Sequence, residues 1–345
     1  MRPAEPGTRI WTQFYAQTAT SQLFGVATSV WSMLYHSRDR TGRDIPVSGF
    51  VVVPKGRAPA RGRPVYAWAH DNVGLGDSCA PSKRIAVNLP PYGAALVKRG
   101  FVLVATDYEG LGTPGDHPYL VGDSEAHAVL DSVRAAASLP DVGRVGDVII
   151  AGAGEGGAAA LFAAERAKQY APEVHVRGVV AFAPTADLST VFSSSRTTGS
   201  TVIEAAAGLS AAYPDFDPRT LLTPAAAADL SRVRTECAAT ITRRYSSAQS
   251  VLARDPNTVP GMKQLLVQNS PGTSSPNAPV LLVQDTQGAA PIVTSLRNDY
   301  CALGATVERL AVAGKARGSI ALAQRQVLAW IDDRYSEKPS RSDCG

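Results

Sequence analysis

The chain has 345 residues, 45% of them hydrophobic and 19% charged, with a net charge of +4. That is the balance of a globular chain with a sizeable core, long enough for one large α/β domain carrying an insertion. No dense Lys/Arg block is present, which argues against nucleic acid as a partner; Arg57, Arg61 and Arg63 fall in a Pro/Gly/Ala-rich loop. No basic segment followed by an apolar run opens the chain, and no apolar stretch is long enough for a bilayer, so the expected location is cytoplasmic, without membrane contact.

In chain order, β-branched apolar runs predict strands over 47–53, 64–69, 101–106, 147–151, 177–183, 279–284 and 307–312. Helical patterns fall between them, over 86–99, 123–137, 156–170, 292–303 and 319–335, the last opened by Ser319 as an N-cap. Alternation of this kind predicts a mostly parallel sheet with helices on both faces. It stops between Leu188 and Ser275, where an Ala-rich helical stretch is punctuated by prolines. The expected organisation is a core over 1–187, a helical cap inserted over 188–277, and the rest of the core over 278–345. The four cysteines lack the close spacing of a zinc ribbon or redox motif, and a cytosolic setting favours free thiols. If oxidised, Cys79–Cys237 would tie core to insertion and Cys301–Cys344 would pin the tail.

The most informative motif is Asp147-Val-Ile-Ile-Ala-Gly152-Ala-Gly154-Glu155-Gly156, a strand, a tight turn and a helix start. This is the setting of a Gly-x-Ser-x-Gly nucleophile elbow, with Gly154 at the serine position. A phosphate-binding glycine loop fits less well, because no Gly-Lys-Ser/Thr follows, and no cofactor is expected. None of the five histidines lies beyond His175, whereas a hydrolase of this type ends its triad with a late histidine. His36, His117, His127 and His175 have no second ligand at metal-like spacing, so no metal site is expected.

Further segments carry a specific likeness: Tyr35-His-Ser with Gly42 and Ser48-Gly49, Trp68-Ala-His70, Cys79-Ala-Pro-Ser82, and Asp107-Tyr-Glu-Gly-Leu-Gly-Thr-Pro-Gly115 followed by His117-Pro-Tyr-Leu-Val121. Ala183-Pro184, Ala186-Asp187-Leu188, Cys301-Ala302 and Gly304 complete it. The chain resembles the secretory lipase family of α/β-hydrolases, of the lipase A type, across nearly its whole length. The resemblance implies the α/β-hydrolase fold, and it exposes three departures. The nucleophile position is Gly154. The family's acid position, in Val283-Gln-Asp285-Thr-Gln-Gly288, is Gly288. The histidine position, in Gly314-Lys-Ala-Arg317-Gly318, is Arg317, which cannot act as a base at neutral pH. Losing such a triad costs about 10⁶-fold in rate.

What remains is an acyl-shaped site with an oxyanion hole, built from the Glu155 N–H and the loop His70-Asp71-Asn72-Val73-Gly74. The candidate catalytic groups are Glu155, Asp71 and His70; Tyr108, Gly154 and Asn72 are the candidate substrate contacts. Asp107 and Glu109 read as structural. A base and an oxyanion hole without a nucleophile suit proton abstraction α to a carbonyl with loss of a carboxylate such as acetate. The expected function is therefore a lyase on an acylated, polyketide-like small molecule, by analogy of fold and lost triad with hydrolase-fold enzymes of polyketide pathways. The alternatives are a cyclase or isomerase on a related intermediate, a ligand-binding pseudoenzyme, and an esterase with relocated groups.

Overall fold

The computed structural model describes residues 2–15, 23, 25–193, 198–285, 290–313 and 316–345. Among the described residues nine strands form one sheet: β1 (Arg9–Tyr15), β2 (Ala27–Arg38), β3 (Asp44–Pro54), β4 (Arg63–Ala69), β5 (Val102–Thr106), β6 (Val145–Ala153), β7 (Val176–Phe182), β8 (Val280–Asp285) and β9 (Val307–Val312), in the order β1-β2-β3-β5-β4-β6-β7-β8-β9. The six strands β4 to β9 run parallel, while β1, β2 and β3 pair antiparallel at one edge. Strands β3 to β9 overlap the seven expected ones; β1 and β2 were not foreseen.

Helices α2 (Gly122–Ala137), α3 (Glu155–Tyr170) and α10 (Ala290–Ala302) cover one face, where Val129, Leu161 and Leu296 meet Val65, Val104 and Val179. On the other face α1 (Gly93–Lys98) and α11 (Ala316–Tyr335) pack Leu96, Val327 and Ile331 against Leu103, Ile149 and Val180. Each such side chain, fully buried, is worth about 1.5–3 kcal/mol. The single helix expected over 86–99 is not formed. Pro90 and Pro91 break it, leaving a 3₁₀ segment over Pro81–Val87 and the short α1, which starts after Tyr92 at φ 63°. Helix α11 begins ahead of Ser319, whose side chain lies outside the described residues.

Between β7 and β8 the described residues form α4 (Leu188–Ser193), α5 (Gly199–Ala212), α6 (Pro224–Ala228), α7 (Leu230–Val233), α8 (Ala238–Arg244) and α9 (Met262–Gln268), with short 3₁₀ turns. Their apolar sides gather into a separate core with Leu75 and residues 119–121. Two disulfides correct the expectation of free thiols: Cys79–Cys237, S–S 2.03 Å, and Cys301–Cys344, S–S 1.97 Å. The first joins the loop after β4 to the helical cap. Leu75 N–H to Glu236 O (3.0 Å) and Ala238 N–H to Val73 O (2.9 Å) stitch the same seam. No described helix is long and apolar enough to cross a membrane.

Candidate functional site

Strand β6 turns into α3 through Gly154, at φ 55° and ψ −117°. The turn is tight because Gly152 and Gly156 let backbones touch: a Cβ on Gly156 would lie 2.1 Å from Ala69 O. Gly154 itself is half-buried, and a Cβ there would meet Asp71 Oδ1 at 2.1 Å and its Cγ at 2.8 Å. The Asp71 carboxylate therefore stands where the first side-chain carbon of a nucleophile would be. It is held there by the Asn72 N–H, which donates to Oδ1 at 2.8 Å. The position lies by the N-terminal end of α3, whose dipole favours an anion.

Of the three expected catalytic groups, only Asp71 reaches this opening. His70 is buried; its Nδ1–H donates to Asp71 O at 2.8 Å, and its Nε2 faces Asp107 O at 3.5 Å, too long for a good hydrogen bond. Burial depresses its pKa, so the ring is neutral scaffolding. Glu155 points the other way. It is 2% exposed, with Oε1 3.2 Å from His117 Nε2. His117 donates its Nδ1–H to Glu109 O at 2.7 Å, and burial pulls its pKa down to about 4. Its Nε2 is therefore an acceptor, and Glu155 must bring the proton. Burial first, then Asp71 and Glu204, push the Glu155 pKa well up, so the contact joins two neutral groups.

Tyr108 lies behind the site. It is fully buried at φ 70°, and its hydroxyl donates to His70 O at 3.0 Å, which leaves it no role at the opening. Asn72 is half-buried at the opening; its Nδ2 donates to Glu204 Oε2 at 3.0 Å and its Oδ1 accepts from Gly74 N–H at 2.7 Å. Asp107 is structural: it accepts from Ser48 Oγ (2.6 Å) and Ser82 N–H (2.9 Å). Gly288, Gly314 and the side chains of Asp285 and Arg317 lie outside the described residues.

Three members of the buried cluster were missed by sequence reasoning as site residues: His117, Glu125 and Glu204. Glu125 pairs with Glu155 and accepts the Leu120 N–H at 2.9 Å; burial and Glu155 raise its pKa well up. Glu204 carried a usable signal, a lone carboxylate in the apolar run Val202-Ile-Glu-Ala-Ala-Ala-Gly-Leu209 of α5. Since Glu155 is already neutral, Glu155→Gln is expected to change stability by less than about 1 kcal/mol. Glu155→Ala, which strands His117 Nε2, is expected to cost about 1–3 kcal/mol. Urea unfolding of the two variants checks this.

A mostly parallel sheet, a strand–elbow–helix turn and a helical cap over the strand ends define an α/β-hydrolase, here with no nucleophile at the elbow. More narrowly, the chain belongs to the secretory lipase family, whose model matches residues 92–343. A Mycobacterium tuberculosis protein described as a probable inactive lipase is 27% identical over 172 residues, 46% of this chain but only 38% of that relative's length. Among solved structures, Candida antarctica lipase A in its closed state superposes with a TM-score of 0.81 at 16% identity, covering 97% of this chain and 84% of that one. The rice cell wall degrading esterase LipA of Xanthomonas oryzae gives 0.79 at 20% identity, covering 95% and 100%. At such identities these two speak for the fold alone.

Proposed function

We propose that this protein is a non-hydrolytic enzyme of the hydrolase fold, a lyase that removes a carboxylate such as acetate from an acylated, polyketide-like small molecule. The observation that carries the reading is the Asp71 carboxylate standing over Gly154 in the nucleophile's place. Asp71 takes the proton on the carbon α to a carbonyl, and the electron pair forms the new C=C bond. The β C–O bond breaks, and the carboxylate leaves with that bonding pair. Charge developing on the carbonyl oxygen falls beside the N-terminus of α3, where a backbone N–H such as that of Glu155 is worth about 3 kcal/mol. Asp71 then returns its proton to solvent through the half-exposed opening. A positioned base contributes about 10²–10⁴-fold.

A cavity of about 570 Å³, large enough for a small molecule, lies at the seam of cap and core. Leu266, Ile292 and Leu296 give it apolar walls, and Asp187 and Lys263 line it too. Neither Asp71 nor Gly154 lines it; one lining residue, Ala186, follows Thr185, whose N–H donates to Gly154 O at 2.9 Å. The two closed disulfides support an oxidising compartment over the cytoplasm. Elimination of acetate from 4-acetoxybutan-2-one, followed by enone absorbance, tests the reading. Asp71→Asn is expected to lose at least about 100-fold while Glu155→Gln keeps its rate. The second reading, a ligand-binding protein without catalysis, is favoured by the description of the mycobacterial relative as a probable inactive lipase. It takes over if the wild-type protein binds the ketone and never turns it over.

A further inference from the structure

Helix α5 of the cap places one carboxyl on the Asp71 turn. Glu204 is 1% exposed; Oε2 accepts from Asn72 Nδ2 at 3.0 Å, while the buried Oε1 has no hydrogen-bond partner among the described residues. Asn72 is a three-way joint, because its own N–H fixes Asp71 Oδ1 and its Oδ1 fixes the Gly74 N–H. One side chain of the cap thus reaches Asp71 through a single residue.

We infer that Glu204 is the positioning residue of the Asp71–Asn72 turn and a proton-dependent latch between cap and core, closed while its carboxyl is neutral and released when it ionises. A neutral carboxyl can stay buried with one oxygen idle at modest cost, whereas an anion buried there has no cation beside it among the described residues. The groups acting on it are Asp71 from the loop after β4, Glu155 from α3 and the phenol of Tyr119 from the segment before α2. None of these is a cation. The described arginines on elements packed against α5 are turned elsewhere. Arg244 meets Asp229 and Glu236, Arg232 meets Glu236, Arg219 meets Asp217, and Arg243 bonds Thr240. Arg234 bonds Ser210 at the far end of α5 and Asp116.

Burial, with Asp71 adding to it, lifts the Glu204 pKa to about 8 from 4.5. An opened cap exposes the Glu204 carboxyl at its ordinary pKa, so ionisation favours opening. Opening is therefore unassisted below about pH 4.5, grows about tenfold per pH unit up to about 8, and levels off above. The consequence for Asp71 rests on its role in the proposed reaction, but the latch itself does not. Hydrogen exchange of the amides of α5 and residues 71–79, corrected for intrinsic rate, reads it from pH 5 to 9 without any substrate. Protection in the wild-type protein is expected to fall with pH up to about 8. Glu204→Gln, which stays neutral and keeps an acceptor for Asn72, is expected to reduce that fall by one tenfold step per pH unit. Glu204→Ala is expected to lose protection at every pH. A wild-type protection that does not change from pH 5 to 8 overturns the latch, as does a Glu204→Gln slope equal to that of the wild type.

Discussion

Replacing Cys79 and Cys237 together by serine is expected to cost about 5 kcal/mol of stability and to lower the melting temperature by about 7 °C. The bond joins residues 158 apart, so its removal restores a long stretch of chain freedom to the unfolded state. The loss is local in its first effect, because this bond sits on the seam where the Asp71 loop meets the cap. The backbone bonds from Leu75 to Glu236 and from Ala238 to Val73 remain, and they keep the seam in register in the folded protein. Gly74 and Gly76 lie so close to residues 235–238 that a Cβ on either would come within 2.5 Å of backbone. The seam is therefore shaped for contact with or without the sulfurs, and the variant should fold natively but melt earlier. The other bond spans 43 residues, and Cys301→Ser with Cys344→Ser is expected to cost about 4 kcal/mol, freeing the tail held by Asp343 N–H to Val307 O at 2.7 Å. Calorimetry of the oxidised variants decides. Equal melting temperatures for the wild type and the Cys79/Cys237 variant would mean that the bond constrains nothing.

The parallel half of the sheet was legible because strands buried on both faces are continuous apolar runs, as in Val148 to Ala151 or Val179 to Ala181. Strands β1 and β2 escaped for different reasons. β2 buries Ser29, Ser32, His36 and Ser37 among its apolar residues, which erases its alternation, and β1 is an edge strand exposed along most of its length. The elbow was legible as a local motif, down to its missing side chain. The distribution of roles was not. Asp71 and Gly154 belong to loops after different strands, and only their parallel pairing through Ala69 and Gly152 brings the carboxylate over the glycine. Periodicity likewise gives no sign that Glu155 turns inward to His117 rather than outward, because both directions are open to the first residue of a helix. Glu204 depends on which side of α5 meets the Asn72 turn, a matter of cap packing that local sequence does not encode.

Returning a serine to position 154 is expected to restore no ester cleavage. The added Cβ would overlap Asp71 Oδ1 at 2.1 Å, and the residue would have to hold φ 55°, a conformation that costs about 1–3 kcal/mol outside glycine. Hydrolases bear that strain to present their serine, but they supply a histidine to take its proton. Here the nearby imidazoles are committed. His70 donates to a backbone carbonyl with Tyr108 packed against its ring, and His117 spends Nδ1 on Glu109 O and Nε2 on the Glu155 proton. Neither is placed at the opening, and no histidine follows His175 in the chain. A serine without a base forfeits about 10⁶-fold of the usual acceleration. Gly154→Ser should therefore melt earlier than the wild type and leave p-nitrophenyl butyrate hydrolysis at background, with no covalent labelling by a fluorophosphonate. Adding Asp71→Ala to Gly154→Ser should recover most of the stability lost to overlap, still without activity. Brisk ester turnover by either variant would show that a base stands within reach of the elbow, and with it that the hydrolytic machinery lacks only its serine.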